Sequence, residues 1–304
     1  MEREAKVGDL TLVYETFGEP EHPPLLLLFG LGGQMVGWPD AFCQRLADRG
    51  FHVIRFDHRD IGGSEVVPGD PVRPLRTLLG LDELPYTLED LADDAVELLR
   101  VLGHGSAHVV GVSMGGMIAQ LVAIRHPGRT CSLTSIMSTT GRRTVGFPTR
   151  LDLVRGAGQT APDDLEEYLT RSVARLRVLA AKGFPFDEEE IRDMLTRSFE
   201  RGLRPEAAVR QLMAILRAGD RTSALRELDV PTLVVHGTAD PLVHVSGGRA
   251  TARAVPGAEY LPIEGMGHSL PVGTWDAVVD AIARTAARSA RPPARDAGRQ
   301  PSVS

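Results

Sequence analysis

Gly111-Val112-Ser113-Met114-Gly115-Gly116 constrains this chain more than any other stretch. It follows the apolar run His108-Val109-Val110 and leads into the apolar-periodic stretch Met117 to Ile124, so it sits where a strand hands over to a helix. A serine with glycines two residues before and two after it, at such a junction, has the G-x-S-x-G elbow pattern. The turn strains the serine backbone, and side chains at the flanking positions would hold strand and helix apart. That geometry lifts a hydroxyl out of a sheet, whereas the same residues in an ordinary turn would carry an incidental serine.

A serine hydroxyl is a weak nucleophile at neutral pH; it needs a base within hydrogen-bond reach, and the base needs a partner that fixes its tautomer. With Ser113 as candidate nucleophile, the chain offers Asp240 after the apolar run Val230 to His236, and His268 in Glu264-Gly265-Met266-Gly267-His268 after the predicted strand Glu259 to Ile263. The order serine, acid, histidine is that of a strand–elbow–helix hydrolase. Asp220 and Asp229 precede their strand instead of ending it. His236 reads as buried in its strand, His244 as the start of a helix, and His104, His108 and His126 as flanking the elbow without a matching acid. An oxyanion needs preorganised N–H donors. The run Leu25 to Phe29 ends in Gly30-Leu31-Gly32-Gly33, a strand exit open enough to face a ligand, so the expected donors are the backbone N–H groups of Leu31 and Met114.

Strand and helix patterns alternate around these residues, as in an α/β sheet covered on both faces. Residues 9–17 suggest an antiparallel hairpin arm. Pro39 to Asp48 suggests a short helix, residues 66–86 a surface loop, and Thr87-Leu88-Glu89-Asp90 a capping box opening a helix to about Leu102. Asp57-His58-Arg59-Asp60 reads as a hydrogen-bonded loop with Arg59 pairing locally, since consecutive residues lack the facing geometry of a metal site. From Gly141 to Thr222 the alternation stops, and three helical stretches are predicted at about Pro162 to Ala181, Asp187 to Arg201 and Pro205 to Ala218. The expected division is therefore a core of 1–140 and 223–288, a helical lid of 141–222, and a disordered tail of 289–304. Trp38, Met213 and Leu216 are the candidate pocket residues.

Composition narrows the function classes. With 42% hydrophobic and 24% charged residues and a formal charge of −6, the chain has no basic stripe for nucleic acid. Leu25 to Phe29, the longest apolar run near the N-terminus, is too short to span a bilayer. The polar start Met1-Glu2-Arg3-Glu4 lacks a secretory pattern, and Cys43 and Cys131 have neither metal nor redox spacing. The expectations are a cytoplasmic protein with free thiols, no metal, no cofactor, and neither nucleic acid nor membrane as partner.

Phe29-Gly30-Leu31-Gly32, Gly37-Trp38-Pro39-Asp40, Asp57-His58-Arg59-Asp60, the elbow, Gly237-Thr238-Ala239-Asp240 and Gly265-Met266-Gly267-His268 resemble the α/β-hydrolase superfamily. Within it the chain is most similar to the aclacinomycin methylesterase group. The resemblance implies an α/β-hydrolase fold with a mostly parallel eight-stranded sheet, helices on both faces and a helical lid. It also implies cofactor-free hydrolysis of a small-molecule carboxylic ester, with a methyl ester of a polyketide-like metabolite as one candidate. Hydrolysis at an N-terminal proline and cofactor-free perhydrolysis would use the same three residues. A ligand receptor that keeps the fold without turnover is the alternative from another class.

Overall fold

The computed structural model describes residues 1–69, 72–155 and 162–289. Eight strands form one sheet: β1 (Arg3–Val7), β2 (Leu10–Phe17), β3 (Pro24–Leu28), β4 (His52–Phe56), β5 (Ala107–Val112), β6 (Thr130–Ile136), β7 (Thr232–Gly237) and β8 (Glu259–Ile263). Their spatial order is β1-β2-β4-β3-β5-β6-β7-β8. The pairs β1–β2 and β2–β4 are antiparallel, and every later pair is parallel. The helices are α1 (Asp40–Ala47), α2 (Pro74–Leu78), α3 (Leu88–Val101), α4 (Met114–Arg125), α5 (Leu151–Arg155), α6 (Leu165–Ala180), α7 (Glu188–Glu200), α8 (Pro205–Arg217), α9 (Thr222–Leu225), α10 (Ser246–Ala254) and α11 (Trp275–Ala287).

The central strands read as unbroken apolar runs because both of their faces are covered. Alternation along β3 sends Leu26 and Leu28 to a core shared with α3 and α4, and Leu25 and Leu27 to a second core shared with α1 and α11. All four leucines are fully buried, so truncating any of them to Ala would cost about 2–5 kcal/mol. Helix α4 is buried from Met114 to Ala123, which is why its apolar residues show no single stripe. The capping box at Thr87 is present: its side chain accepts from Asp90 N while Asp90 accepts from Thr87 N.

The structure adds elements that the sequence patterns hid. β1 lies in the acidic N-terminal stretch and completes the hairpin with β2. The stretch 66–86, expected as loop, contains α2, and the segment between β6 and β7 carries α5 and α9 besides the three expected helices. Helix α10 begins at Ser246, two residues past His244. The segment leaves and rejoins the sheet at one neck, where Arg221 N donates to Thr140 O at 2.8 Å. The expected disordered tail lies, beyond Ser289, outside the described residues.

Candidate active site

The elbow is built by close backbone approach. Ser113 has φ 56° and ψ −118°, a region costly for a residue with a side chain. A Cβ at Gly111 would lie 2.0 Å from Gly115 O, and one at Gly115 would lie 2.1 Å from Leu28 O. Only glycine lets α4 descend onto β3 and β5 at that distance. Two hydrogen bonds hold the turn from the β6 side, Ser113 N to Ile136 O at 2.9 Å and Ser138 Oγ to Ser113 O at 2.8 Å.

His268 and Asp240 come to this serine from the ends of β8 and β7. His268 Nε2 lies 3.0 Å from Ser113 Oγ, and its Nδ1 lies 2.7 Å from Asp240 Oδ2. Nδ1–H donated to the carboxylate leaves the Nε2 lone pair to accept the serine O–H. The other oxygen of Asp240 accepts from Leu242 N and Val243 N, both at 2.9 Å, so the carboxylate cannot swing away. Burial pushes the Asp240 carboxyl up, but the His268 and His236 imidazoles outweigh it and hold the group below the usual carboxylate range. His236, fully buried in β7 as expected, donates from Nε2 to Val243 O at 2.8 Å and lies 3.5 Å from Asp240 Oδ2. The backbone of His268 is fixed separately, its N–H donating to Leu179 O in α6 at 2.7 Å.

The glycine-rich strand exit runs past the serine. A Cβ at Gly30 would sit 3.3 Å from Ser113 Cβ. Gly33 N returns to Gly30 O at 3.2 Å, and Gly32 N donates to Gln211 Oε1 of α8 at 2.8 Å. Met114 is the first residue of α4, so its N–H has no acceptor within the helix. Among the described residues, neither Leu31 N nor Met114 N donates to a protein acceptor.

Asp57-His58-Arg59-Asp60 is the seat of the inserted helices. Asp57 Oδ2 accepts from Arg201 Nη2 at 2.6 Å, and its carboxylate also takes Met35 N at 2.7 Å and Gly63 N at 3.0 Å. Asp60 Oδ2 meets Arg210 Nη1 of α8 at 3.1 Å. Gln34 donates to Ser198 O and Gly202 O at 2.8 and 2.9 Å and accepts from Arg201. Arg59 does not pair locally as expected: it makes a two-pronged bond, each prong 2.6 Å, to Asp94 of α3. The carboxyl of Asp94 nevertheless stands above its ordinary value, because burial outweighs the arginine. His126, expected to lack an acid, lies 2.6 Å from Asp93.

The three pocket candidates separate. Trp38 is 1% exposed, stacked on Phe42 and edge-on to Phe29 in the α1/α11 core, so it is a packing residue. Met213 is buried on α8, while Leu216, on the same helix, is 49% exposed. No local pattern marks Gln211, Arg201 or Arg210 as partners of the core, because Gly32, Asp57 and Asp60 lie 144 to 179 residues away from them.

Comparison with known proteins agrees with this architecture. The alpha/beta hydrolase fold family matches residues 23–272. Rhodomycin D methylesterase DnrP of Streptomyces peucetius is 33% identical over 294 residues, covering 90% of this chain and 94% of the relative. The 3-oxoadipate enol-lactonase 2 of Acinetobacter baylyi is 28% identical over 246 residues, covering 79% of this chain and 80% of the relative. Among solved structures, the esterase RhEst1 from Rhodococcus sp. ECU1013 superposes with a TM-score of 0.72 at 24% identity, over 95% of this chain and 99% of its own. Family match, sequence kinship and eight-stranded sheet coincide, and the chain belongs to the α/β-hydrolase family.

Proposed function

We propose that the protein is a serine hydrolase of carboxylic esters, working through Ser113, His268, Asp240 and an acyl-enzyme. The observation that carries this reading is the His268 imidazole, held 3.0 Å from the Ser113 hydroxyl on one side and 2.7 Å from the Asp240 carboxylate on the other. Ser113 Oγ attacks the ester carbonyl carbon as His268 Nε2 takes its proton. Collapse of the tetrahedral adduct breaks the bond to the alcohol oxygen, which leaves with that proton. Water then gives a proton to His268 and its oxygen to the acyl carbon, and Ser113 departs with the proton returned. Asp240 keeps the proton on Nδ1 throughout and stabilises the imidazolium. Each oxyanion accepts from Leu31 N and Met114 N, neither of which donates to a protein acceptor among the described residues.

The helices between β6 and β7 act as a lid in this reading, with 141–222 closing over a core formed by 1–140 and 223–288. As substrate we infer the methyl ester of a polyketide-like metabolite, on the strength of 33% identity to rhodomycin D methylesterase. Cys43 and Cys131 are buried thiols outside any disulfide, which suits the reducing cytoplasm. The test is incubation with p-nitrophenyl acetate and a fluorophosphonate probe. Turnover and labelling in the wild type, both lost in Ser113→Ala, support the proposal; a wild type that neither labels nor turns over overturns it.

A further inference from the structure

Gln211 is fully buried, and its side-chain amide is only half used. The atom facing Gly32 N at 2.8 Å must be Oε1, because an N–H needs an acceptor. That orientation commits the other end of the amide. Nε2 is buried and has no hydrogen-bond partner among the described residues, leaving two donors unpaired. A buried amide left unsatisfied carries a free-energy cost that an incoming oxygen acceptor relieves. The neighbours of Gln211 were free to be something else: Ala208, one turn earlier on α8, already seats the helix on Gly32, where a Cβ would lie 3.1 Å from the alanine Cβ. A leucine at 211 would have filled the space without burying an unpaired amide NH2.

The position of this donor follows from the chain path. Gly30 touches Ser113, Leu31 follows it, and Gly32 is bonded to Gln211. Consecutive Cα atoms are about 3.8 Å apart, so Gly32, to which the amide is bonded, lies within roughly two residue lengths, about 7 Å, of the residue that touches the serine. An acyl group bonded to Ser113 with its oxyanion toward Leu31 N reaches that distance within a few bonds.

We propose that Gln211 is a substrate-binding and positioning residue. Its Oε1 holds Gly32, and through it the Leu31 N–H, while its Nε2 donates to a carbonyl or hydroxyl oxygen on the acyl side of the ester. The favoured substrates are accordingly oxygenated acyl esters, such as oxo or hydroxy acid esters, over plain alkanoates. This rests on the serine esterase reading and deepens it.

The test uses matched methyl esters that differ by one oxygen: methyl acetoacetate and methyl 3-hydroxybutyrate against methyl butyrate, and methyl levulinate against methyl pentanoate. Each comparison is the ratio of oxygenated to plain kcat/KM in the wild type divided by the same ratio in a variant, so differences in intrinsic reactivity cancel. Gln211→Met removes both ends of the amide, and Gln211→Glu keeps an oxygen for Gly32 N while removing the donor. For at least one pair the ratio is expected to fall about tenfold in both variants, the worth of one neutral hydrogen bond. On the plain esters Gln211→Met should lose more kcat than Gln211→Glu, because only the methionine releases Gly32. Ratios unchanged in Gln211→Glu and Gln211→Met for all three oxygenated esters would overturn the proposal. Fluorophosphonate labelling of Ser113, measured on the same samples, keeps the outcomes apart: labelled protein with unchanged ratios defeats the role of Gln211, whereas unlabelled, inactive wild type defeats the esterase reading itself.

Discussion

Arg201, at the end of α7, places Nη2 2.6 Å from Oδ2 of Asp57, at the end of β4, across 144 residues of sequence. The aspartate side chain is completely buried and the arginine 13% exposed, so the bond is formed largely out of water. The same guanidinium also reaches Glu2 and Gln34. One arginine thereby joins the residue before β1, the strand exit after β3, the loop after β4 and the inserted helices.

The two ends of this pair should respond unequally. Asp57→Ala orphans Met35 N and Gly63 N as well as one prong of Arg201, so it should cost about 3–5 kcal/mol. Arg201→Ala should cost less, because Asp57 keeps its two backbone donors. Urea midpoints of both variants check the order; a larger loss in Arg201→Ala contradicts it.

Ser113→Ala and His268→Ala should each lower kcat by about four orders of magnitude or more, with the fold retained. Asp240→Asn should be comparably inactive for a different reason. Its carbonyl takes over the N–H groups of Leu242 and Val243, so its NH2 faces His268 Nδ1 and drives the imidazole proton to Nε2, where a base is needed. Steady-state kinetics with circular dichroism on the same samples decide this; an Asp240→Asn enzyme near wild-type kcat contradicts the argument.

Gly115→Ala should not give a folded protein, because its methyl group would lie 2.1 Å from the Leu28 carbonyl oxygen, a backbone atom in the middle of the sheet. Gly128→Ala is the control: a Cβ there meets nothing within 4 Å. It should change the melting temperature by no more than a few degrees. Soluble expression and thermal melts separate the two cases.

Stability should fall with acid well before carboxylates titrate. Burial holds His58 and His108 at about 4 instead of the ordinary 6.5. Between these values the unfolded chain binds protons that the folded chain refuses, so stability is full above pH 6.5 and declines as pH falls toward 4. At pH 5 the loss is about 2 kcal/mol per histidine. His108 contacts Ser132 Oγ at 2.9 Å, a bond that Gln can retain. Urea denaturation at pH 7.5 and 5 should show His108→Gln losing about half of the wild-type decline; parallel curves speak against it.

What the sequence made legible follows from locality. The elbow, its strand and its helix are adjacent residues, and the glycine spacing around Ser113 states its own reason. Asp240 and His268, which the structure brings to Ser113, stand out in the sequence because each follows a strand that its apolar run announces. Arg59 was misjudged because nothing in Asp57-His58-Arg59-Asp60 indicates that α3 brings Asp94 within 2.6 Å. β1 was hidden since an edge strand with three exposed residues in five has little apolar signal. Trp38 looked like a pocket residue for the same reason it is a core residue, a large apolar side chain near a glycine-rich turn, and only packing could choose. Gln211 carries no motif at all; its meaning lies in one contact made 179 residues away.

The neck where Arg221 N meets Thr140 O, 2.8 Å apart, sets the terms on which such a protein can diversify. The two ends of the inserted segment are already joined there by a hydrogen bond, so the sheet experiences the roughly eighty residues between them as a single closed loop. Lengthening, shortening or replacing that loop leaves the register of β6 against β7 alone. A lineage could exchange that whole segment as a cartridge and keep the strand ends that bring Ser113, His268 and Asp240 together.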